Sequence, residues 1–109
     1  MEKNIVLPNY DHCILNTINS ILKYYNVETG HKSLESLDNL LNQKYKNVVF
    51  LVLDGMGEHI LNNISPNGVF TENRIHFLTY VYPSTTTAAL TPYYAGRPPY
   101  ETVWIAWSQ

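Results

Sequence analysis

The feature that most constrains the fold is an unbroken apolar run, residues 48–53, which leads directly into Asp54-Gly55-Met56-Gly57. Four of the six apolar residues are β-branched or aromatic. A short apolar run without alternation, bounded by turn residues, is typical of a strand buried on both faces of a parallel sheet. Ligands of α/β proteins bind beyond the carboxyl ends of such strands. Asp54 is therefore expected either to hold a ligand or to cap the following helix.

Helices are predicted on both sides of this strand. Apolar spacing predicts a helix over about 12–26, capped by Asp11, with one buried stripe: Ile14, Leu15, Ile18, Ile21, Leu22 and Tyr25. Ser33 is expected to cap a second helix with Lys44 and Lys46 near its C-terminus and one apolar face: Leu34, Leu37, Leu40 and Leu41. The pattern after the central strand predicts a helix over 58–63, a strand over 75–81, and a helix over 88–95 that contains a proline.

This order predicts an α/β fold in one partial domain. Residues 1–45 form the helical segment, and residues 46–109 form a strand–helix–strand–helix portion. A helix that connects two successive strands favours a parallel sheet with a right-handed crossover. Only two or three strands are visible, and the chain stops after the apolar tail 103–107, which includes Trp104 and Trp107. We therefore expect a truncated piece of a larger unit.

The composition and charge of the chain argue against some classes of binding partner. The chain has 109 residues, 45% of them hydrophobic, and a net charge of -2. This charge provides no electrostatic footprint for a nucleic acid polymer or an anionic membrane. We find no secretory signal and no apolar window long enough for a membrane span, and the single cysteine, Cys13, suits a reducing compartment. We expect a cytoplasmic protein in which Cys13 is a buried thiol, with a nucleophilic role as the weaker alternative.

A second motif lies near the start of the last predicted helix, Tyr82-Pro83-Ser84-Thr85-Thr86-Thr87. Serine and threonine are preferred N-caps, but one hydroxyl satisfies that need. A helix N-terminus also attracts phosphate, and a threonine there can attack phosphorus if a divalent metal lowers the pKa of its hydroxyl. On a parallel sheet, Asp54 and Thr86 would meet at the same edge.

Together these segments resemble the N-terminal part of the alkaline phosphatase superfamily, and most closely its nucleotide pyrophosphatase/phosphodiesterase branch. The resemblance covers about residues 48–107. It rests on the strand that ends in Asp54-Gly55, the aromatic-Pro-(Ser/Thr)-x-Thr pattern at 82–86, and the helix that closes with Gly96-Arg97-Pro98-Pro99. It implies a three-layer α/β/α fold with a mainly parallel sheet, of which this chain would be a truncated part.

The resemblance also implies a function. Members are hydrolases of phosphate esters with two divalent metals, usually zinc. By this resemblance Asp54 would be a metal ligand, and Thr86 would be both a ligand of that metal and the nucleophile that forms a phosphoenzyme. Thr85 and Thr87 remain open as alternatives. The substrate would be a small phosphate ester or phosphodiester.

Three departures from the family pattern limit this expectation. Ala89 stands where phosphodiesterases commonly have a phosphate-binding asparagine, and Glu101-Thr102-Val103 stands where many relatives have His-Gly. The family's remaining metal ligands come from a region downstream of this chain. The spacing of the four histidines is not that of metal ligands: His12, His31, His59 and His76. Of these, His59 lies just beyond the Asp54 turn. We therefore expect the isolated chain to be inactive or nearly so.

Three other functions compete with this one. A non-catalytic module could associate with a second copy, or with a missing C-terminal portion, through an open sheet edge and its tryptophans. A nucleotide- or methyl-donor-binding domain could use Gly55-Met56-Gly57, although the third glycine of that motif is absent. A haloacid-dehalogenase-like phosphatase would need an aspartate at Met56.

Overall fold

A computed structural model describes residues 7–82 and 85–103 of the chain. Across these ranges the regular secondary structure consists of six helices: α1 Ile14–Tyr24, α2 Glu35–Leu41, α3 Glu58–Ile64, α4 Val69–Glu72, α5 Thr86–Ala95 and α6 Pro99–Thr102. The main helix contacts join α1 to α2, α1 to α5, and α5 to α6. None of these helices has the length and apolar character needed to cross a membrane.

The core lies where the first turn of α1 meets α5. Its buried members are Cys13, Leu15, Val81 and Ala89. Partly buried apolar side chains pack around them: Tyr10, Ile14 and Ile18. The cysteine is fully buried, so the expectation of a core thiol at position 13 is confirmed.

The buried face of α1 is more polar than its apolar stripe predicts. Asn16, Asn19 and Ser20 are buried along with Leu15, whereas the other members of the predicted stripe are only partly buried or exposed. Asn16 Oδ1 accepts a hydrogen bond from the Cys13 N–H (2.8 Å), which closes the helix N-terminus. The helix thus buries side chains that make hydrogen bonds as well as apolar contacts.

Two of these polar side chains bind the loop that precedes α2. Asn16 Nδ2 donates to the carbonyl of Lys32 (2.9 Å). The Ser20 hydroxyl donates to the carbonyl of Leu34 (3.1 Å) and accepts from the N–H of the same residue (2.7 Å). Because a buried backbone group needs a partner, these bonds fix the start of α2 against α1.

The α/β prediction is wrong for the described part of the chain, which contains no β-strand. Residues 48–53 belong to no helix or strand and make no backbone hydrogen bond to another described residue, and the side chains of Val49 and Leu51 are 89% and 68% exposed. The strand predicted over 75–81 is also missing. Instead, a single parallel bridge joins Cys13 to Thr79, in which Thr79 N–H donates to His12 O (2.9 Å) and Ile14 N–H donates to Thr79 O (3.2 Å).

The physical reason is that a strand is completed by its neighbours and not by its own sequence. Two parallel strands alone provide too little buried surface to form an independent sheet, and a parallel sheet needs cover on both faces. In this chain Thr79 bonds to the segment before α1, and residues 48–53 bond to no strand. The predicted three-layer arrangement therefore does not form.

Both predicted N-caps are wrong. Helix α1 begins after Cys13, and α2 begins after Leu34. The Asp11 carboxylate instead accepts from Lys32 Nζ (2.8 Å), and that hydrogen bond, followed by the charge of the lysine, lowers the pKa of Asp11. The Ser33 hydroxyl donates to the Asp38 carboxylate, as part of α2 packing. Each side chain is thus used in a tertiary contact.

The helices predicted after the apolar run are confirmed with shifted ends. Helix α3 extends one residue past the predicted end, and α5 begins two residues before the predicted start. Pro92 is buried within α5 without ending it. The tail with Trp104 and Trp107 lies outside the described residues, as do Pro83 and Ser84.

Gly96 ends α5 in the left-handed conformation, with φ of 64°. Its N–H donates to the carbonyl of Pro92 (2.8 Å), as in a C-terminal helix cap. A Cβ atom at this position would lie 2.8 Å from Cδ1 of Leu22 on α1. The glycine therefore both ends the helix and lets α1 and α5 approach each other.

Replacing Gly96 by alanine is expected to destabilise the protein by about 2–3 kcal/mol, from left-handed strain and the contact with Leu22. Gly30→Ala is the matched control, because Gly30 has φ of 69° and open space around its Cα. It should cost only about 1 kcal/mol. Urea unfolding measures the stability of both variants. Equal losses of unfolding free energy would show that the contact with α1 contributes nothing.

Removing the Ser20 hydroxyl should destabilise the protein by about 1–3 kcal/mol, since Ser20→Ala leaves the buried N–H of Leu34 without its partner, while the Leu34 carbonyl keeps its bonds from the N–H groups of Leu37 and Asp38. The control is Ser36→Ala, because the Ser36 hydroxyl is buried and makes no hydrogen bond within the described structure. That variant should be neutral or slightly stabilising. A Ser20→Ala variant as stable as Ser36→Ala would contradict the role given to these bonds.

Candidate functional site

A cleft of about 870 Å³ lies between the end of the apolar run 48–53 and α5. It contains both residues that the sequence singles out, Asp54 and Thr86. Its lining is otherwise mainly apolar and aromatic: Ile14, Phe50, Val52, Leu53, Gly55, Met56, Gly57, Leu78, Tyr80, Ala89, Leu90, Tyr93 and Tyr94. A mainly apolar lining with a few polar groups is typical of small-molecule sites.

The wall opposite α5 is formed by the apolar run 48–53 and the turn that follows it. The rings of Phe50 and Tyr93 pack with centroids 5.3 Å apart. Phe50 and Val52 line the cleft, whereas Val49 and Leu51, which alternate with them, do not. Asp54 then enters a turn in which Gly55 has φ of 66°, a conformation that glycine adopts without strain.

The other wall is one face of α5. The cleft-lining residues of this helix include Thr86, Ala89, Leu90 and Tyr93, which stand at the spacing of a single helix face. Sequence reasoning did not assign Tyr93 or Tyr80 to the site. The helical spacing from Thr86 to Tyr93 was a signal in the sequence that could have identified Tyr93. No sequence signal pointed to Tyr80.

The three neighbouring threonines differ in their surroundings. The Thr85 hydroxyl caps α5 by accepting from Ala88 N–H (3.3 Å). The Thr87 hydroxyl is buried without a hydrogen-bond partner in the described structure. Thr86 is the one of the three that lines the cleft. The geometry thus favours Thr86 over both alternatives that the sequence left open.

Among the described residues that line the cleft, Asp54 is the only carboxylic acid and none has a basic side chain. Burial, and then the charge of Asp54, raises the pKa of Tyr80. Burial, followed by interaction with Tyr80, raises the pKa of Tyr93 to about 12. Both phenols are therefore neutral near pH 7. The cleft carries the negative charge of Asp54, and an anionic substrate would need an added cation beside it.

The described residues do not by themselves complete a metal centre. No group of three or more histidine, cysteine, aspartate or glutamate side chains with metal-binding geometry occurs among them. A catalytic zinc ion usually has three protein ligands. Asp54 and Thr86 offer a carboxylate and a hydroxyl, so at most part of such a centre lies in the described cleft.

The histidines lie away from the cleft. The His12 and His76 rings are 5.1 Å apart, a pairing that the sequence did not suggest. His31 Nε2 lies 3.0 Å from Glu101 Oε1, and His59 Nε2 lies 3.2 Å from an amide nitrogen one turn along α3. His59 follows the Asp54 turn in sequence but does not line the cleft.

Comparison with known proteins identifies no relative. No family model, curated protein or solved structure matches the chain. The cleft and the motifs that line it are therefore the features that bear on function.

The raised pKa of Tyr93 makes unfolding dependent on pH in the alkaline range. The unfolded phenol ionises near its ordinary pKa of 10, and the folded one near 12. Its contribution to stability is therefore fully present below pH 10 and is lost as the pH rises towards 12. Tyr93→Phe should reduce this loss and remove the highest-titrating component of the absorbance at alkaline pH. Tyr94→Phe is the control, because Tyr94 is 87% exposed, and it should leave that component in place.

Proposed function

We propose that this chain contributes part of the active site of a metal-dependent phosphate-ester hydrolase of the phosphodiesterase type. Thr86 is the nucleophile and Asp54 is a metal ligand. The observation that carries the proposal is that these two residues, from distant parts of the chain, line one cleft. The sequence singled out the same pair because of its motifs, and the cleft supports that choice although the sheet expected to join them is absent.

Thr86 has suitable surroundings for attack on phosphorus. It lies in the first turn of the ten-residue helix α5, where the partial positive charge of the helix dipole favours a phosphate group. Its hydroxyl makes no hydrogen bond to another described residue, whereas Thr85 is engaged as the cap. The Thr86 oxygen would bond to phosphorus as the ester oxygen leaves, and water would then cleave the phosphothreonine.

The proposed site is incomplete in the described residues. Two oxygen ligands are too few for a catalytic zinc ion, and the cleft lining has no lysine or arginine to neutralise phosphate in its place. The remaining ligands would have to come from outside the described residues. We therefore propose that the 109-residue chain alone is inactive or nearly so.

Zinc titration calorimetry tests the ligand roles. The chain is expected to bind zinc weakly, and both Asp54→Ala and Thr86→Val should lower that affinity severalfold, since each removes one of two oxygen ligands. Glu58→Ala is the matched control, because Glu58 is an exposed carboxylate in the first turn of α3 and does not line the cleft. Zinc binding that falls equally in all three variants, or in none, would contradict the proposal.

Hydrolysis of bis-p-nitrophenyl phosphate, measured with zinc present, tests whether the site is incomplete. We expect no turnover above the background rate by the 109-residue chain. Turnover that Thr86→Ala abolishes and Thr87→Ala retains would support Thr86 as the nucleophile and overturn the conclusion that the site is incomplete. Turnover that survives Thr86→Ala would overturn the nucleophile assignment itself.

A further inference from the structure

Residues 48–53 form an apolar segment whose backbone has no hydrogen-bond partner in the described structure. None of its N–H or carbonyl groups makes a hydrogen bond to another described residue. Its side chains are largely exposed, most of all Val49 and Leu51. An exposed segment with unpaired backbone groups and β-branched side chains is suited to pairing with an added strand.

Part of the segment already contacts the rest of the protein. Phe50, Val52 and Leu53 line the cleft, and Val49 and Leu51 lie outside the cleft lining. The cleft-lining residues therefore hold the segment in place before a partner arrives. A segment held in this way loses less conformational entropy on binding than a disordered one.

We propose that this segment pairs antiparallel with the same segment of a second copy of the chain, with Phe50 at the two-fold axis. Charge complementarity identifies the partner and its direction. Lys46 precedes the apolar residues and Asp54 follows them. In antiparallel pairing centred on Phe50, Lys46 of each copy lies opposite Asp54 of the other. Parallel in-register pairing would place like charges together.

The same register matches the apolar residues. Val48 lies opposite Val52 of the second copy, and Val49 lies opposite Leu51, so aliphatic side chains meet on both faces of the pair. Neither Lys46 nor Asp54 forms an ion pair within the described chain, so both charges are available. In a two-fold interface each of these contacts occurs twice, so a substitution changes two contacts at once.

Charge exchange tests the pairing in solution. Sedimentation velocity of the full chain over a range of concentrations should show a monomer–dimer equilibrium. Lys46→Asp and Asp54→Lys should each weaken dimerisation about tenfold or more, because two like-charge contacts replace two opposite-charge contacts. The double variant, Lys46→Asp with Asp54→Lys, should recover most of the loss. Lys44→Asp changes the same charge outside the paired register and should leave the dimer unchanged.

Cross-linking tests the register. Two Phe50→Cys chains would face each other directly, within reach of a disulfide, and should form a covalent dimer on mild oxidation. In Val49→Cys chains the two cysteines lie diagonally, about 7–8 Å apart, and should cross-link much less. The native Cys13 is buried and should contribute little background.

Three results would overturn the proposal: a monomer at every concentration, a dimer that the charge reversals do not weaken, or failure of the double variant to recover the dimer. Equal cross-linking at positions 49 and 50 would overturn the register. The proposal does not depend on hydrolase activity. A chain that remains monomeric but binds zinc through Asp54 would refute the pairing alone. A dimer whose zinc affinity is unchanged by Asp54→Ala would refute the hydrolase site alone.

Discussion

The structure depends on the polar, buried face of α1. Asn16 and Ser20 make the hydrogen bonds that hold the loop before α2, and the first turn of the same helix contacts the 79–81 segment through the Cys13–Thr79 bridge. In a small helical protein these bonds give direction to contacts that apolar packing alone would leave loosely defined. One of these bonds takes the buried N–H of Leu34 as its donor, so loss of the Ser20 side chain leaves that group unsatisfied.

This framework positions one wall of the cleft. Helix α5 packs against α1, and Gly96 permits that approach at its end. The position of α5 in turn places Thr86 and Tyr93 on the face that meets Phe50. The opposite wall receives less support, because its backbone has no hydrogen-bond partner in the described structure. The candidate site thus joins a fixed helix to a segment without regular secondary structure, and this segment is also where the proposed second copy would bind.

Local elements of the fold were predictable from the sequence, and long-range pairing was not. Helices α1, α2, α3 and α5 follow from apolar spacing and from glycine and proline stops, which act over a few residues, although the caps predicted for α1 and α2 were wrong. The strand over 48–53 was mispredicted because its apolar residues indicate a need for burial but do not supply the neighbouring strand. Asn16 and Ser20 were missed because their buried role depends on a loop that lies far along the chain. The pair Asp54 and Thr86 was chosen for a shared sheet edge, and a cleft beside a helix brings them together instead.

The central claim is that Asp54 and Thr86 face one metal-binding cleft, and paramagnetic broadening by Mn²⁺ in an NMR spectrum of the labelled chain tests it most directly. The claim predicts that amide signals near Asp54 and near Thr86 broaden together at low Mn²⁺, while those of the 26–33 loop remain sharp. Asp54→Ala should abolish both effects. Broadening at only one of the two positions, or broadening that persists in Asp54→Ala, would contradict the account.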